Sequence, residues 1–281
     1  MSIADAKQTI WHKAYERALK TITSLRNHCD FKYERDSKNA EKVIILNAVR
    51  PNVRNYVPGT PITRDPVSAT KQELPIDQFR YFNIGLDDVH KAQSVPGAME
   101  ATAAEGALAL SEEGDKYVAS LVKAGVEATT PTIDSVARFT PTKANATEKI
   151  EEAFAILYGK NNRVSDTYWL EVAPSYFQFI RPNILELLTN NVEMAKKGVV
   201  GKYANALVTI ENLLPKGQAT SANDTVYNIL RTEHAIAFVE QINKVEPYRP
   251  EDSFEDALKG LYTFGAKVVR PDEIVVIKTA I

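Results

Sequence analysis

Four histidines, a single cysteine and three doublets of identical acids are side chains with which this chain could bind a metal, attack a substrate or move a proton. His12, His28, His90 and His234 nowhere fall at the spacing that lets two imidazoles share a metal ion, and Cys29 has no second cysteine as co-ligand. His28 and Cys29 are adjacent, which does not set imidazole against thiol as an activated pair requires; they read as ordinary residues at a helix end. Gly159–Lys160 and Gly201–Lys202 lack the upstream glycine of a phosphate-cradling loop, and neither G-x-G-x-x-G nor G-x-S-x-G occurs. Asp87–Asp88 could hold a cation, but an acidic start to a helical segment, favoured by the helix dipole, accounts for them. Glu112–Glu113 and Glu151–Glu152 have basic neighbours and read as solvated helix faces. A carboxylate pair assembled in space stays open, because sequence does not show spatial neighbours. The residues therefore assign no catalytic group, no cofactor and no metal.

Residues 50–71, RPNVRNYVPGTPITRDPVSATK, pose a different question. They hold four of the chain's 14 prolines, four basic residues (Arg50, Arg54, Arg64, Lys71) and one acid, Asp65, with few large apolar side chains. Structureless loops beyond about 12–15 residues are uncommon in compact domains and are usually functional or disordered. This one reaches for something outside its own core.

The elements around it follow from periodicity. Residues 3–28 repeat Ile3, Ile10, Ala14, Ala18, Ile22 and Leu25 at helical spacing, with Trp11 and Tyr15 beside them. A polar connector, 31–42, leads to a strand, KVIILNAV (42–49). QELPIDQFRYFNIGL (72–86) alternates imperfectly and reads as one long strand returning from the 50–71 reach, with a turn near Gly59–Pro61. Folded back there, each arm of this ribbon would extend at most ~70 Å. Residues 98–124 form a long, alanine-rich helix pattern weakened by Gly106 and Gly114, with Gly125 as its stop. Residues 129–143 are β-like, and 146–160 is helical, with Ile150, Phe154 and Leu157 on one face. TYWLEVAPSYFQFI (167–180) is a strand, a break at Pro174 and a helix. Residues 199–214 are β-rich, 216–225 a polar loop, VYNILR a strand, 232–242 a short helix, and 266–280 two strands pivoting at Arg270–Pro271.

Bulk numbers agree with a soluble globular chain. At 281 residues it can bury a substantial core, and 44% hydrophobic and 25% charged residues are ordinary proportions. A net charge of −2 excludes a nucleic-acid polycation. One cysteine excludes an intrachain disulfide and argues against an oxidising compartment. No signal-peptide core and no uninterrupted apolar run of spanning length occur, so the expectation is a protein folded in the cytoplasm with no membrane partner.

The order of these parts resembles the major capsid (coat) proteins of tailed bacteriophages, a superfamily whose fold is shared with encapsulin shells and the floor of herpesvirus capsids. RNYVPGTPI followed by LPIDQFRYFNIGLDDVHKAQS is similar to the extended loop (E-loop) of that family, and the 98–124 helix to its spine. VAPSYFQFI, KGVVGKYANALVTIENLLP, EHAIAFVEQI and FGAKVVRPDEIVVIK resemble, in order, the start of the axial domain, a glycine-bearing β-segment, a closing helix and a returning strand. The likeness spans residues 40–281, and it rests on the order of the pieces. It implies an α+β fold with an N-terminal arm (1–41), an extended β-ribbon (42–86), a peripheral domain with the spine helix (87–143), an axial domain (144–242) and strands returning to the peripheral domain (243–281).

The function so implied is structural: an icosahedral shell of hexamers and pentamers around double-stranded DNA, assembled in the host cytoplasm and ending in the virion. Scaffolding, portal and decoration proteins are the further partners that members of such a family use, and contact with packaged DNA would be weak and without base readout. Two other readings are an encapsulin-like compartment and a soluble α/β enzyme with 50–71 as its lid. In the shell reading the reach has no core of its own because its core is another subunit. Its net charge of +3 faces a net of −3 over 98–124, so Arg50, Arg54, Arg64 and Lys71, with Tyr56 and Ile62, are expected to dock near Glu112 and Glu113 of a neighbour. Trp11 and Tyr15 are expected against a neighbouring subunit or the inner wall. Lys71, the one lysine of the loop, has no evident cross-linking partner in the sequence.

Overall fold

The computed structural model describes residues 25–34, 40–48, 53–56, 58–59, 61, 64, 69–87, 98–160, 167–186, 199–218 and 224–280. Within them lie two sheets, a two-stranded ribbon and three α-helices. Strands β1 (Lys42–Ala48) and β2 (Ala69–Pro75) pair antiparallel as the ribbon, from Lys42 opposite Pro75 to Ala48 opposite Ala69. Strand β3 (Gln78–Asp87) joins β11 (Ile236–Tyr248) and β12 (Glu255–Val268) in an antiparallel sheet of order β11-β12-β3.

Helix α1 (Ala98–Glu127) packs on one face of that sheet. Its small residues make this possible: the Phe82 ring lies 3.2 Å from where a Cβ on Gly106 would sit. Beneath α1, Phe238, Tyr262 and Phe264 stack among Val118, Val122 and Leu258 as one core.

The second sheet has the order β4-β13-β10-β5-β8-β7-β6. Its strands are β4 (Asp134–Phe139), β5 (Tyr168–Val172), β6 (Leu185–Glu186), β7 (Val199–Tyr203), β8 (Ala206–Ile210), β10 (Asp224–Thr232) and β13 (Ile274–Ala280), with a short β9 (Lys216–Gln218) beside β10. β4 runs parallel to β13 and β5 to β8. Helix α2 (Asn145–Gly159) buries Ile150, Phe154 and Leu157 against this sheet, on the face its periodicity indicated. It starts where Thr142 and Asn145 cap one another, the Thr142 N–H donating to Asn145 Oδ1 (2.8 Å) and the Asn145 N–H to Thr142 Oγ1 (3.3 Å). Helix α3 (Pro174–Ile180) carries Pro174 in its first turn, where a missing N–H costs nothing.

Several expectations need correction. The single strand over 72–86 is two strands, broken at Ile76–Asp77. Pro75 cannot donate to a ladder, and Ile76 turns into a core with Val43, Ile45 and Leu74, so the chain changes sheets there. The short helix at 232–242 is a 3-10 turn, Glu233–Ala235, followed by β11. Ile236, Ala237, Phe238 and Val239 are all fully buried, and a fully buried strand has no period that separates it from a helix. β11 also runs straight across the expected boundary at 242–243, and β12 follows it, with only its end, 266–268, inside a strand expected from sequence. Gly125 does not stop α1, which continues to Glu127; its carbonyl instead accepts the N–H of Thr132 (3.0 Å). The 216–225 loop contains β9 and the start of β10. Of the helix expected over 3–28, residues 3–24 lie outside the described residues, and Arg26–His28 form a 3-10 turn.

Candidate functional site

The ribbon β1–β2 has two unlike faces. Val43, Ile45 and Leu74 turn inward onto Ala237, Val239 and Val269. Ile44 and Leu46, the alternate residues, remain 50% and 68% exposed. Apolar side chains on both faces are the pattern of a strand that is covered on both.

The base of the ribbon is firmly held. Gln72 Nε2 donates to the Val269 carbonyl (3.2 Å), Lys267 Nζ to the Glu73 carbonyl (2.7 Å), and the Ile76 N–H to the Glu41 carbonyl (3.0 Å). On the outer face, Lys42 and Lys71 clasp Glu73 at 2.9 and 3.0 Å and draw its carboxyl down to about 2.

Beyond the strands, Val53 is 93% and Tyr56 65% exposed, and Arg54 and Arg64 are exposed as well. Gly59 takes a φ of +85° in the turn with Pro58, the turn expected near Gly59–Pro61. Arg50 and Ile62, like Trp11 and Tyr15, lie outside the described residues.

The acidic side of the expected docking is weaker than the charge count suggested. Asp115 is buried and accepts the Arg26 N–H (2.9 Å), so it contributes nothing to the surface of α1. Glu113 pairs within its own chain with Lys116 (2.8 Å) and Arg80 (3.6 Å), which together hold its carboxyl below the usual range. Lys71 is likewise engaged by Glu73. Glu112 is partly buried on the same helix.

One surface was missed. The outer face of the three-stranded sheet, opposite α1, carries Phe79 (64% exposed), Tyr81 (78%) and Leu261 (40%), with Tyr81 and Leu261 directly opposite one another across β3 and β12. A shallow cavity of about 370 Å³ opens there, lined by Tyr81, Leu261, Lys244, Glu246 and Lys259. Glu246 pairs with Lys244 and, at 3.6 Å, with Lys259. The signal was in the sequence: in QFRYFNI the odd positions, Phe79 and Tyr81, are as aromatic as Phe82 opposite, which faces the core.

His12 and His90 lie outside the described residues. His28 and Cys29 are buried, and burial pushes the Cys29 thiol up to about 11 despite the Arg231 charge beside it. Among the described residues no three of His, Cys, Asp and Glu could hold a metal ion. A second cavity, about 250 Å³, lies against Pro174, Glu211 and Lys216, and no described residue of 50–71 lines either cavity. No helix among the described residues is long and apolar enough to cross a membrane.

No protein-family model matches the chain, and no curated protein matches it. Solved structures do. A chain of Mycobacterium phage Che8 superposes with a TM-score of 0.72 at 24% identity, over 91% of this chain and 90% of that one. The capsid of Ralstonia phage GP4 gives 0.68 at 10% identity, over 89% and 86%. A virus-like particle from Pyrococcus furiosus gives 0.59 at 12% identity, over 96% and 99%. The chain has the fold of these capsid and particle subunits.

Proposed function

From a chain with the capsid fold, we propose a coat protein that self-assembles into the shell of a tailed bacteriophage and encloses its double-stranded DNA. The observation that carries this reading is the ribbon: anchored at its base, it presents Ile44, Leu46, Val53 and Tyr56 exposed among the described residues. The ribbon is the arm by which one subunit lies on the next in hexamers and pentamers. Apolar burial supplies most of that contact, at about 1.5–3 kcal/mol for a fully covered large side chain. Arg54 and Arg64 facing Glu112 of a neighbour adjust register, since exposed ion pairs are worth about 0–1 kcal/mol each. Trp11 and Tyr15 add apolar surface on the arm side. No cofactor is needed.

The test is electron microscopy and sedimentation of the purified full-length protein. Closed particles of megadalton mass are expected; a stable monomer or dimer under all assembly conditions overturns the reading. A second reading, a compartment without a genome, draws support from the likeness to the Pyrococcus furiosus virus-like particle over 96% of this chain. Particles from the native source separate the two: double-stranded DNA inside supports the phage head, and protein cargo without DNA supports the compartment.

A further inference from the structure

Beyond one 3-10 turn and a single bridge from Asp30 to β11, Leu25–Asp30 belongs to no helix or sheet, yet its polar contacts reach α1, β5, β10, β11 and β12. Arg26 donates its backbone N–H to Asp115 of α1 (2.9 Å), and its guanidinium to Tyr262 of β12 (2.6 Å) and Glu240 of β11 (2.7 Å). Asp30 pairs with β11, its N–H donating to the Ile236 carbonyl (2.9 Å) and its carbonyl accepting from Phe238 (3.1 Å). His28 stacks on Trp169 of β5, with ring centroids 3.7 Å apart, and its Nδ1 lies 3.0 Å from Glu171 Oε1.

Arg231 of β10 completes the set. It is fully buried and forms an ion pair with Glu171 (2.7 Å), itself fully buried. Its other N–H groups donate to the carbonyls of Leu25 (2.7 Å) and His28 (3.1 Å), more than 200 residues away in sequence. A buried pair is stable only when all its hydrogen-bonding capacity is met. Here the segment supplies what the pair needs, so docking of the segment and satisfaction of the pair are one event.

We propose that Leu25–Asp30 is a conformational latch. Docked, it completes the Arg231–Glu171 pair and clamps α1 and both sheets in one arrangement. Released, it lets the sheets shift about the two short turns that join them, Glu233–Ala235 and Pro271–Glu273. Whatever engages the residues that precede it acts on the latch first. This holds whether or not the chain forms a shell.

Hydrogen–deuterium exchange on the full-length chain tests the first half. In R231M the amides of Cys29 and Asp30, bonded to the Arg26 and Ile236 carbonyls, exchange about 100-fold faster or more, while those of β13 stay protected. In E171Q, which keeps the shape and removes the charge, the same amides exchange about tenfold faster. Spin labels at V200C on β7 and L261C on β12 in a C29A background, diluted with unlabelled chain, test the second half; both sites are exposed, and removing Cys29 keeps a released latch from being labelled. The distance distribution is narrow in that background and broad in R231M, or in E171Q if R231M does not fold. Unchanged exchange at residues 25–30 overturns the latch, because the pair then does not hold the segment. Faster exchange with an unchanged distance distribution also overturns it, because the segment then does not set the arrangement of the sheets.

Discussion

Val118 and Leu121 lie one turn apart on α1, and a charge costs very different amounts at the two. Val118 is fully buried, whereas Leu121 is partly buried at the edge of the same core. A buried carboxylate without partners costs several kcal/mol, a large share of a total stability of about 5–15 kcal/mol. V118D should therefore yield no folded protein, while L121D folds with its thermal midpoint lowered by several degrees in circular dichroism; equal behaviour would mean the helix is seated differently. Glu171 makes a second prediction. Burial pushes its carboxyl up, but the charge of Arg231 and the hydrogen bond with His28 outweigh this and hold it below the unfolded value of about 4.3. A group depressed in the folded state contributes stability that is full above its unfolded pKa and lost as pH falls through the folded one. Thermal midpoints of the wild type should thus be flat in this contribution from pH 7 to about 5 and drop below about 4. The E171Q variant should start lower and show a shallower acid drop, and an identical drop would place the acid sensitivity elsewhere. None of this was legible in the sequence, where Glu171 and Arg231 stand 60 residues apart with nothing to link them.

The β1–β2 ribbon combines local and distant causes. Its existence could be read from two β-rich stretches around a proline-rich reach, because prolines and the Gly59 turn act locally. Its length could not, because the break after Pro75 only becomes a change of sheet when β12 is present to receive β3. The two faces lead to a ranking. I44D/L46D should abolish assembly in sedimentation velocity while leaving the far-ultraviolet circular dichroism of the subunit unchanged. R54E/R64E should slow assembly less, and most at low salt, since exposed charges are screened within about 8–10 Å. If the charge reversal proves the more severe, electrostatic docking is the stronger contact after all. The misread helix at 232–242 has the same origin as the misread strand length: in a fully buried run, pairing partners decide the conformation, and they lie elsewhere in the chain.

At the scale of the whole molecule, a net charge of −2, with many of its cations in short intrachain ion pairs, leaves little free positive field for DNA. Binding of double-stranded DNA by the purified protein should be weak, independent of sequence and nearly lost between 50 and 200 mM salt, as filter or anisotropy titrations would report. Tight sequence-specific binding at physiological salt would contradict an inner wall that merely tolerates the genome. What the sequence determined by itself was everything carried by local spacing: the long small-residue helix, the amphipathic α2, the Pro174 start of α3 and the pivot at Arg270–Pro271. Turn chemistry and helical period act over a few residues, so they survive without neighbours. The tertiary structure alone decided which strands share a sheet, that Asp115 is withdrawn from the α1 surface, that Phe79, Tyr81 and Leu261 form one outer patch, and that Leu25–Asp30 docks on Arg231 and Glu171. Each of those depends on contacts between residues distant in the chain, whose loop-closure entropy and burial energy are set only when the whole fold closes.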